Sequence, residues 1–273
     1  MRINCKGKLV DLTEPKIMGI LNTTPDSFFA GSRSQNIDSA LKRIEKLLEE
    51  GADFIDIGGM STRPGSAEVS ETEELERVVP VVEAAVHKFP EILISVDTYR
   101  AKVARETIET GAAILNDISA GSMDENLFQT VAALQVPYIL MHMQGTPQNM
   151  QQNPVYDDVT LEVNQFLSEK IRVLKELGVN DIILDPGFGF GKTVQHNYEL
   201  FKNMDLLGFG EFPLLVGISR KSMITRLLDI PADEALNGTT VLNTLALQKG
   251  AKILRVHDVK EAQQTLMIWK QFQ

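Results

Sequence analysis

Residues 37–58, IDSALKRIEKLLEEGADFIDIG, contain a helical pattern followed by a strand pattern. Apolar side chains recur at helical spacing in the first part, at Ile37, Ala40, Leu41, Ile44, Leu47 and Leu48. Gly51 follows where a helix C-terminus is expected. The last five residues, FIDIG at 54–58, form a short apolar run suited to a buried strand. The stretch therefore predicts one helix-to-strand unit of an α/β protein.

The same alternation continues through the chain, with amphipathic stretches such as 71–89 and 160–178 between apolar runs. We expect Pro80 to kink or end the first of these helices. The seven further runs are KIMGIL at 16–21, ILISV at 92–96, AILNDI at 113–118, YILMHM at 138–143, IILD at 182–185, LLVGIS at 214–219 and ILRVH at 253–257. Runs that are apolar on both faces favour parallel strands. We predict a single (β/α)8 TIM barrel, with residues 1–273 as one domain.

Composition indicates an ordinary globular chain of 273 residues, with 43% apolar and 23% charged side chains. A formal charge of −10 argues against a nucleic-acid partner, although a local basic cluster would still allow an anionic small substrate. The sequence has neither a secretory signal nor a run of about 18 apolar residues, so we expect no membrane partner. The single cysteine, Cys5, suits packing in a reducing compartment, and we predict a cytoplasmic protein.

Polar side chains follow the apolar runs, where the strands of a barrel present its active site. They include Asn22, Asp97, Asn116, Asp185, Lys221, Arg255 and His257. Helix capping would explain many of them, but not Arg255 and His257, which lie inside the last run. These two point to the same side of a strand. Arg255 requires an anion, either a ligand phosphate, which we favour, or a protein carboxylate.

Lys221 lies in SRKS after the seventh run and allows three roles: phosphate contact, donor to a heterocycle or Schiff-base nucleophile. The acceptors of Asp97, Asn116 and Asp185 suit a heterocycle with many N–H donors. If they bound a metal, magnesium would be favoured over zinc, since thiolates are lacking.

Residues 185–193, DPGFGFGKT, fail the phosphate-loop pattern because Pro186 stands where its first glycine is required. We expect the glycines to let the loop pass close to a ligand. Phe188 or Phe190 would then form a flat apolar wall, with core packing as the alternative for both. Residues 22–34 and 58–66 are rich in Gly, Pro, Ser and Thr, and we expect both to be mobile loops.

Eight fragments in order resemble the dihydropteroate synthase family of pterin-binding enzymes over nearly the whole chain. They are LNTTPDSF, GGMSTRPG, SVDTYR, LNDIS, LMHMQGTP, LDPGFGFGK, VGISRKS and RVHDVKE. The resemblance implies a barrel transferase of folate biosynthesis. This enzyme would join 6-hydroxymethyl-7,8-dihydropterin diphosphate to p-aminobenzoate, giving 7,8-dihydropteroate and pyrophosphate, with Mg2+. It also implies a sulfonamide target and a homodimer formed through late helices.

The resemblance also implies residue roles. Catalytic roles fall to Arg63, Lys221, Arg255 and His257. The pterin would be held by Asp97, Asn116, Asp185 and Lys221. The diphosphate would be held by Asn22, Arg255 and His257, with Asn22 also at the metal. The p-aminobenzoate site would comprise Phe28, Pro64, Phe190 and Ser222, while Thr62 and Arg63 belong to the second loop.

Two departures concern the loops: Ala30 stands where the family usually has Asp, and Met60 where it has Glu. Both departures would change interactions of the loops, and neither affects the residues assigned to the pterin. Three other functions stay open from the residues. They are a pterin-binding methyltransferase that serves a corrinoid, a Schiff-base aldolase that uses Lys221, and a binding protein without chemistry.

Overall fold

The computed structural model describes residues 1–23, 33–60 and 69–273. Within them, β1 (Arg2–Cys5) and β2 (Lys8–Asp11) form an antiparallel hairpin. Eight further strands form one parallel sheet. These are β3 (Lys16–Asn22), β4 (Phe54–Gly58), β5 (Ile94–Asp97), β6 (Ile114–Asp117), β7 (Tyr138–Met141), β8 (Ile182–Asp185), β9 (Leu215–Val216) and β10 (Ile253–Val256).

Helices alternate with these strands and cover the outside of the sheet. They are α1 (Arg33–Glu49), α2 (Glu71–Lys88), α3 (Ala101–Thr110), α4 (Leu127–Leu134), α5 (Val159–Glu176), α6 (Val194–Lys202), α7 (Ser222–Leu228), α8 (Leu236–Gln248) and α9 (Val259–Trp269). Short 3-10 turns span Met204–Gly210, Ala232–Glu234 and Lys270–Phe272. Among the described helices, none has the length and apolarity needed to cross a membrane.

The strand order is β8-β7-β6-β5-β4-β3-β10-β9, and every neighbouring pair is parallel. The two ends of the sheet meet at Leu184 and Leu214, which form an isolated parallel bridge. The Leu184 N–H donates to the Pro213 carbonyl at 2.9 Å. The sheet is thus a nearly closed barrel, which confirms the predicted α/β barrel fold.

Several strands are shorter than the apolar runs that predict them. In the run at 214–219, the strand comprises only Leu215 and Val216, with the isolated bridge at Leu214 before it, because the following residues turn toward α7. Pro80 does not end its helix, contrary to one of the two expectations, and α2 continues to Lys88. The turn beyond Pro80 buries Val81, Val82 and Ala85 against the core, which offsets the missing proline N–H.

The N-terminal hairpin was not predicted from the sequence. Its tight turn is made by Lys6 and Gly7, both with positive φ, as two-residue hairpin turns require. Ile3 and Cys5 pack with interior side chains of the barrel such as Met18 and Phe54. The hairpin therefore closes the end of the barrel where the strands begin. Cys5 is a free, buried thiol, as its expected packing role requires.

Candidate active site

Strand alternation decides which side chains enter the barrel. In β4, Ile55 and Ile57 pack in the layer between sheet and helices, whereas Phe54 lies in the interior cluster. Asp56 therefore points into the barrel, since successive side chains face opposite sides. The same alternation turns Asp97 inward in β5 and Asn116 inward in β6, and these two residues are paired in register. Both lie at the ends of their strands, at the mouth opposite the hairpin.

A buried charge cluster fills the interior on this side. Arg255 Nε donates to Asp56 Oδ2 at 2.6 Å, and Arg255 Nη2 donates to Asp97 Oδ2 at 2.9 Å. Asn116 Nδ2 donates to the same Asp56 oxygen at 3.1 Å. Burial raises the pKa of Asp97, an effect that Arg255 opposes and Asp56 reinforces. The Arg255 guanidinium therefore contacts two protein carboxylates. A protein carboxylate was the alternative to the ligand phosphate that we favoured from the sequence.

Asp56 belongs to this cluster, although the expectations from the sequence did not include it. Its side chain is completely buried, and it sits in the middle of the run FIDIG. Asp56 and Arg255 are both charged residues inside apolar strands, so the same sequence signal marks both. Asp56 therefore could have been singled out as the partner of Arg255.

Lys221 and Asp185 form the opposite wall of the site. Lys221 precedes α7, and its Nζ donates to the Phe188 carbonyl at 2.6 Å. Burial lowers the Lys221 pKa to about 8, and the charge of Asp185 opposes that shift. Burial likewise raises the Asp185 pKa against the charge of Lys221. Asp185 Oδ1 accepts from the Gly187 N–H at 2.8 Å.

Gly217 lies between Lys221 on one side of the site and Arg255 on the other. A Cβ at this position would lie 3.8 Å from Lys221 Nζ and 3.8 Å from Arg255 Cβ. Gly58 plays a similar part at β4, where a Cβ would lie 3.8 Å from Asn22 Oδ1 and 3.5 Å from Asp97 Cβ. The structure therefore gathers around one barrel mouth the residues Asn22, Asp97, Asn116, Asp185, Lys221 and Arg255.

The glycine-rich loop after β8 packs tightly against the neighbouring loop. A Cβ on Gly187 would lie 1.8 Å from the His142 carbonyl oxygen, and one on Gly191 would lie 2.3 Å from that of Gln144. Both glycines also have positive φ. The close contact between the two backbones and the left-handed conformation therefore explain why glycine occupies these positions. Gly189 alone faces a side chain of the site, since its Cβ would lie 3.1 Å from Lys221 Cδ.

The two phenylalanines of this loop have different surroundings. Phe188 is fully buried and packs on Phe201, with the ring centroids 5.5 Å apart. Phe190 is half-buried, and its ring centroid lies 4.6 Å from Lys221 Nζ. Core packing is therefore correct for Phe188, whereas Phe190 lies at the site.

Lys192 holds this loop from inside. Its Nζ lies 2.9 Å from His142 Nδ1 and donates to the carbonyls of Gly187 at 3.0 Å and Phe190 at 3.1 Å. These three partners match the three protons of an ammonium group. Burial lowers the Lys192 pKa to about 7. Lys192 occupies the position of the lysine in a phosphate-loop motif, but its side chain points into the protein and binds internal partners.

His257 and Ser222 lie at the same end of the barrel. His257 Nδ1 is 3.0 Å from Ser219 Oγ, and its carbonyl accepts from Arg43 Nη2 at 3.1 Å. Ser222 is half-buried and is the first residue of α7. Both predicted residues therefore follow strands whose ends border the mouth.

Several predicted residues lie outside the described part of the chain: Phe28, Ala30, Thr62, Arg63 and Pro64. The flanking backbone is described. Thr23 donates through its N–H and its hydroxyl to the Gly58 carbonyl, and Arg77 Nη1 donates to the Gly59 carbonyl at 2.9 Å. Met60 is half-buried. Among the described residues, no cluster of three or more His, Cys, Asp or Glu side chains could hold a metal ion.

Comparison with known proteins places this geometry in context. The model of the family described as pterin binding enzyme matches residues 18–257. The dihydropteroate synthase of Haemophilus influenzae is 47% identical over 272 residues, covering 99% of this chain and 98% of that protein. The Yersinia pestis dihydropteroate synthase in complex with a sulfonamide drug superposes with a TM-score of 0.93 at 45% identity, covering 100% and 99% of the two chains. The Xanthomonas albilineans enzyme with 4-aminobenzoic acid gives 0.92 at 39% identity, covering 99% and 97%.

Proposed function

The chain belongs to the pterin binding enzyme family, among the dihydropteroate synthases, and from this we propose its substrates, site residues and mechanism. It is a transferase of the folate pathway. It condenses 6-hydroxymethyl-7,8-dihydropterin diphosphate with p-aminobenzoate, giving 7,8-dihydropteroate and pyrophosphate. The observation that carries the residue assignment is a polar cluster around one barrel mouth, in which the buried side chains of Asp97, Asn116 and Asp185 meet the half-buried Lys221 and Arg255.

The pterin ring binds in the interior, between the wall of Asp185 and Lys221 and that of Asp97 and Asn116. A bicyclic heterocycle with several N–H groups loses its hydration there and needs buried partners. Carboxylate and amide oxygens accept from its N–H groups, and the Lys221 ammonium donates to its acceptors. Lys221 Nζ already donates to a backbone carbonyl, which supports this donor role over that of a Schiff-base nucleophile.

The diphosphate lies outward from the ring, near Asn22, Arg255 and His257. Arg255 lies in the last strand and His257 lies just after it, two positions apart and therefore on the same face. Barrels commonly bind phosphate near this strand. Asn22 offers one amide oxygen, and the described residues include no carboxylate cluster, so a Mg2+ ion would be held by Asn22 together with oxygens of the diphosphate. Bound magnesium would offset the charge of the departing diphosphate.

The reaction is a dissociative substitution without a covalent enzyme intermediate. The bond between the pterin methylene carbon and the bridging oxygen breaks, and its electron pair leaves with pyrophosphate. Arg255 and His257 stabilise the charge that develops on those oxygens. The aryl amine of p-aminobenzoate then attacks the cationic methylene and loses a proton. Arg63, on the second loop, is assigned a catalytic role beside Lys221, Arg255 and His257.

The p-aminobenzoate binds beside Phe190 and Ser222, at the rim of the mouth. Phe190 provides an apolar ring next to Lys221, and Ser222 stands at the start of α7. We assign Phe28 and Pro64 to the same subsite, and Thr62 to substrate binding from the second loop. The relatives found with 4-aminobenzoic acid and with a sulfonamide drug support this aryl-amine site.

A homodimer formed through the late helices is part of the proposal. Exposed apolar side chains gather on α8, α9 and the turn after them, at Val241, Leu245, Met267, Ile268 and Phe272. Exposed apolar groups of this kind are typical of interfaces. We also place the protein in the cytoplasm, because the buried free thiol of Cys5 suits a reducing compartment.

The function is tested with purified protein, both substrates and magnesium, by measuring pyrophosphate release. Release that depends on p-aminobenzoate, with 7,8-dihydropteroate as the co-product, is the expected result. Pterin binding without release would instead identify a binding protein, and methyl transfer to a corrinoid would identify the related methyltransferase chemistry. Borohydride trapping of a carbonyl substrate on Lys221 would contradict the mechanism.

Sulfonamides are expected to inhibit competitively with p-aminobenzoate, because they share its aryl amine and its anionic end. Initial rates at several concentrations of both compounds should show KM for p-aminobenzoate rising with sulfonamide at constant kcat. A control series varies the pterin diphosphate, against which competition is not expected. Inhibition that is noncompetitive with p-aminobenzoate would place its site elsewhere.

A further inference from the structure

Asp56 lies behind the ligand-facing residues and contacts two of them at once. We infer that Asp56 is a positioning residue for the pterin site, since one of its oxygens fixes both Arg255 and Asn116. The inference rests on the proposed function, because it assigns pterin binding to this cluster. Asp56 acts through these two neighbours and does not itself contact the substrate.

Asp56 bridges strands that are not neighbours in the sheet. Asp56 is on β4, Arg255 on β10 and Asn116 on β6, and β3 or β5 separates these strands in the sheet. Backbone hydrogen bonds therefore cannot link the three positions, and only a side chain inside the barrel can. Asp56 Oδ2 accepts from Arg255 Nε at 2.6 Å and from Asn116 Nδ2 at 3.1 Å. The bond from Arg255 is short and joins two charged groups, which makes it the stronger of the two.

Depth separates this residue from the ligand-facing layer. In the β4–β5 register, Asp56 pairs with Ser95, whereas Gly58 at the strand end pairs with Asp97. Asp56 is thus one inward-facing layer nearer the closed end of the barrel than Asp97. Its side chain is completely buried, and among the described residues its Oδ1 has no hydrogen-bond partner. Both of its hydrogen bonds therefore converge on Oδ2.

Two orientations depend on that oxygen. The Asn116 amide turns its nitrogen toward Asp56, which directs its acceptor oxygen away from that carboxylate. The planar guanidinium of Arg255 is held between Asp56 and Asp97, which fixes the plane of the group. Asp56 therefore determines which donor and acceptor atoms of Asn116 and Arg255 face the pterin ring. Its negative charge also lets Arg255 stay buried beside the pocket.

The test is the Asp56→Asn variant, which keeps the shape and removes the charge. We expect Kd for the pterin and KM for the pterin diphosphate to rise about tenfold to hundredfold. KM for p-aminobenzoate should change by less than about twofold, because its subsite lies at the rim. A general structural defect would move both Michaelis constants, so the split between them identifies positioning.

Asp117→Asn is the matched control. Asp117 is also completely buried, one position after Asn116, but it accepts from Tyr138 Oη and from backbone N–H groups outside the pocket. We expect this variant to lose thermal stability while its pterin Kd stays unchanged. An equal loss of pterin affinity in both variants would overturn the inference, as would unchanged pterin Kd in folded Asp56→Asn.

If Asp56→Asn does not fold, Asp56→Glu carries the test, since it keeps the charge and displaces the oxygen by one methylene. It should show the same selective rise in the pterin Kd, and wild-type affinity would overturn the inference. Wild-type protein is assayed in parallel for pyrophosphate release dependent on p-aminobenzoate. Absence of that activity would refute the proposed function itself, whereas its presence with unchanged variants would refute only the role of Asp56.

Discussion

Arg255→Ala is expected to lower the free energy of unfolding by about 3–5 kcal/mol, because it leaves two buried carboxylates without their cation. Asp56 and Asp97 both contact the guanidinium, and the side chain of Asp56 has no exposed surface. Desolvation makes such carboxylates costly when they lose a partner. The measurement is equilibrium unfolding in urea, followed by circular dichroism, at constant pH.

Arg220→Ala is the control for this substitution. Arg220 also pairs with an aspartate, Asp258, but about a third of its side chain is exposed. Solvent screening should hold its loss to within about 1 kcal/mol. If both variants lost the same free energy of unfolding, the Arg255 cluster would contribute no more to stability than a surface ion pair does.

The same Arg255→Ala protein also tests the diphosphate assignment. Binding of the diphosphate-bearing pterin should weaken far more than binding of the free pterin, because the anionic tail loses a cationic donor. Calorimetric titration of both ligands into the folded variant measures the difference. Equal losses would remove Arg255 from the diphosphate subsite.

Asp185→Ala should abolish measurable pterin binding, a loss of at least about a hundredfold, because buried ring donors lose their acceptor oxygens. The substitution also leaves the Gly187 N–H and the Lys221 ammonium without this carboxylate nearby. Fluorescence titration with the pterin measures the loss directly. Unchanged affinity would reject the assignment of Asp185.

Asp181→Ala provides the matched control on the same segment. Asp181 immediately precedes β8, and its Oδ2 accepts from the Asn4 N–H of the hairpin at the opposite end of the barrel. Pterin affinity should stay unchanged in this variant. The pair of variants therefore separates the two ends of one strand, of which only the carboxyl end is assigned to the site.

The barrel was predictable because its signals are local. The run FIDIG coincides with β4, and IILD coincides with β8. Helix 160–178 differs from α5 by one or two residues at its ends, as helix boundaries usually do. The N-terminal hairpin was not predicted because its strands have only four residues each and lie in a polar segment, so the alternation of apolar and polar residues is weak.

The site was only partly predictable. Residues at strand ends could be named from the run that precedes each, and Asp97, Asn116 and Arg255 do meet in the structure. Asp56 is a charged residue inside the apolar run FIDIG, a signal of the same kind as that of Arg255. Lys192 carried none, since its partner His142 is distant in sequence and the surrounding glycines imitate a different motif.

The sequence by itself determined the alternation of strands and helices, the family and the set of polar residues offered at the strand ends. These follow from periodicity and residue chemistry, which act over a few neighbouring positions. Only the tertiary structure decided that Arg255 binds Asp56 and Asp97, and that Phe188 is core while Phe190 faces Lys221. Closure of the sheet sets these contacts by bringing together positions up to 199 residues apart, and local periodicity carries no record of such distances.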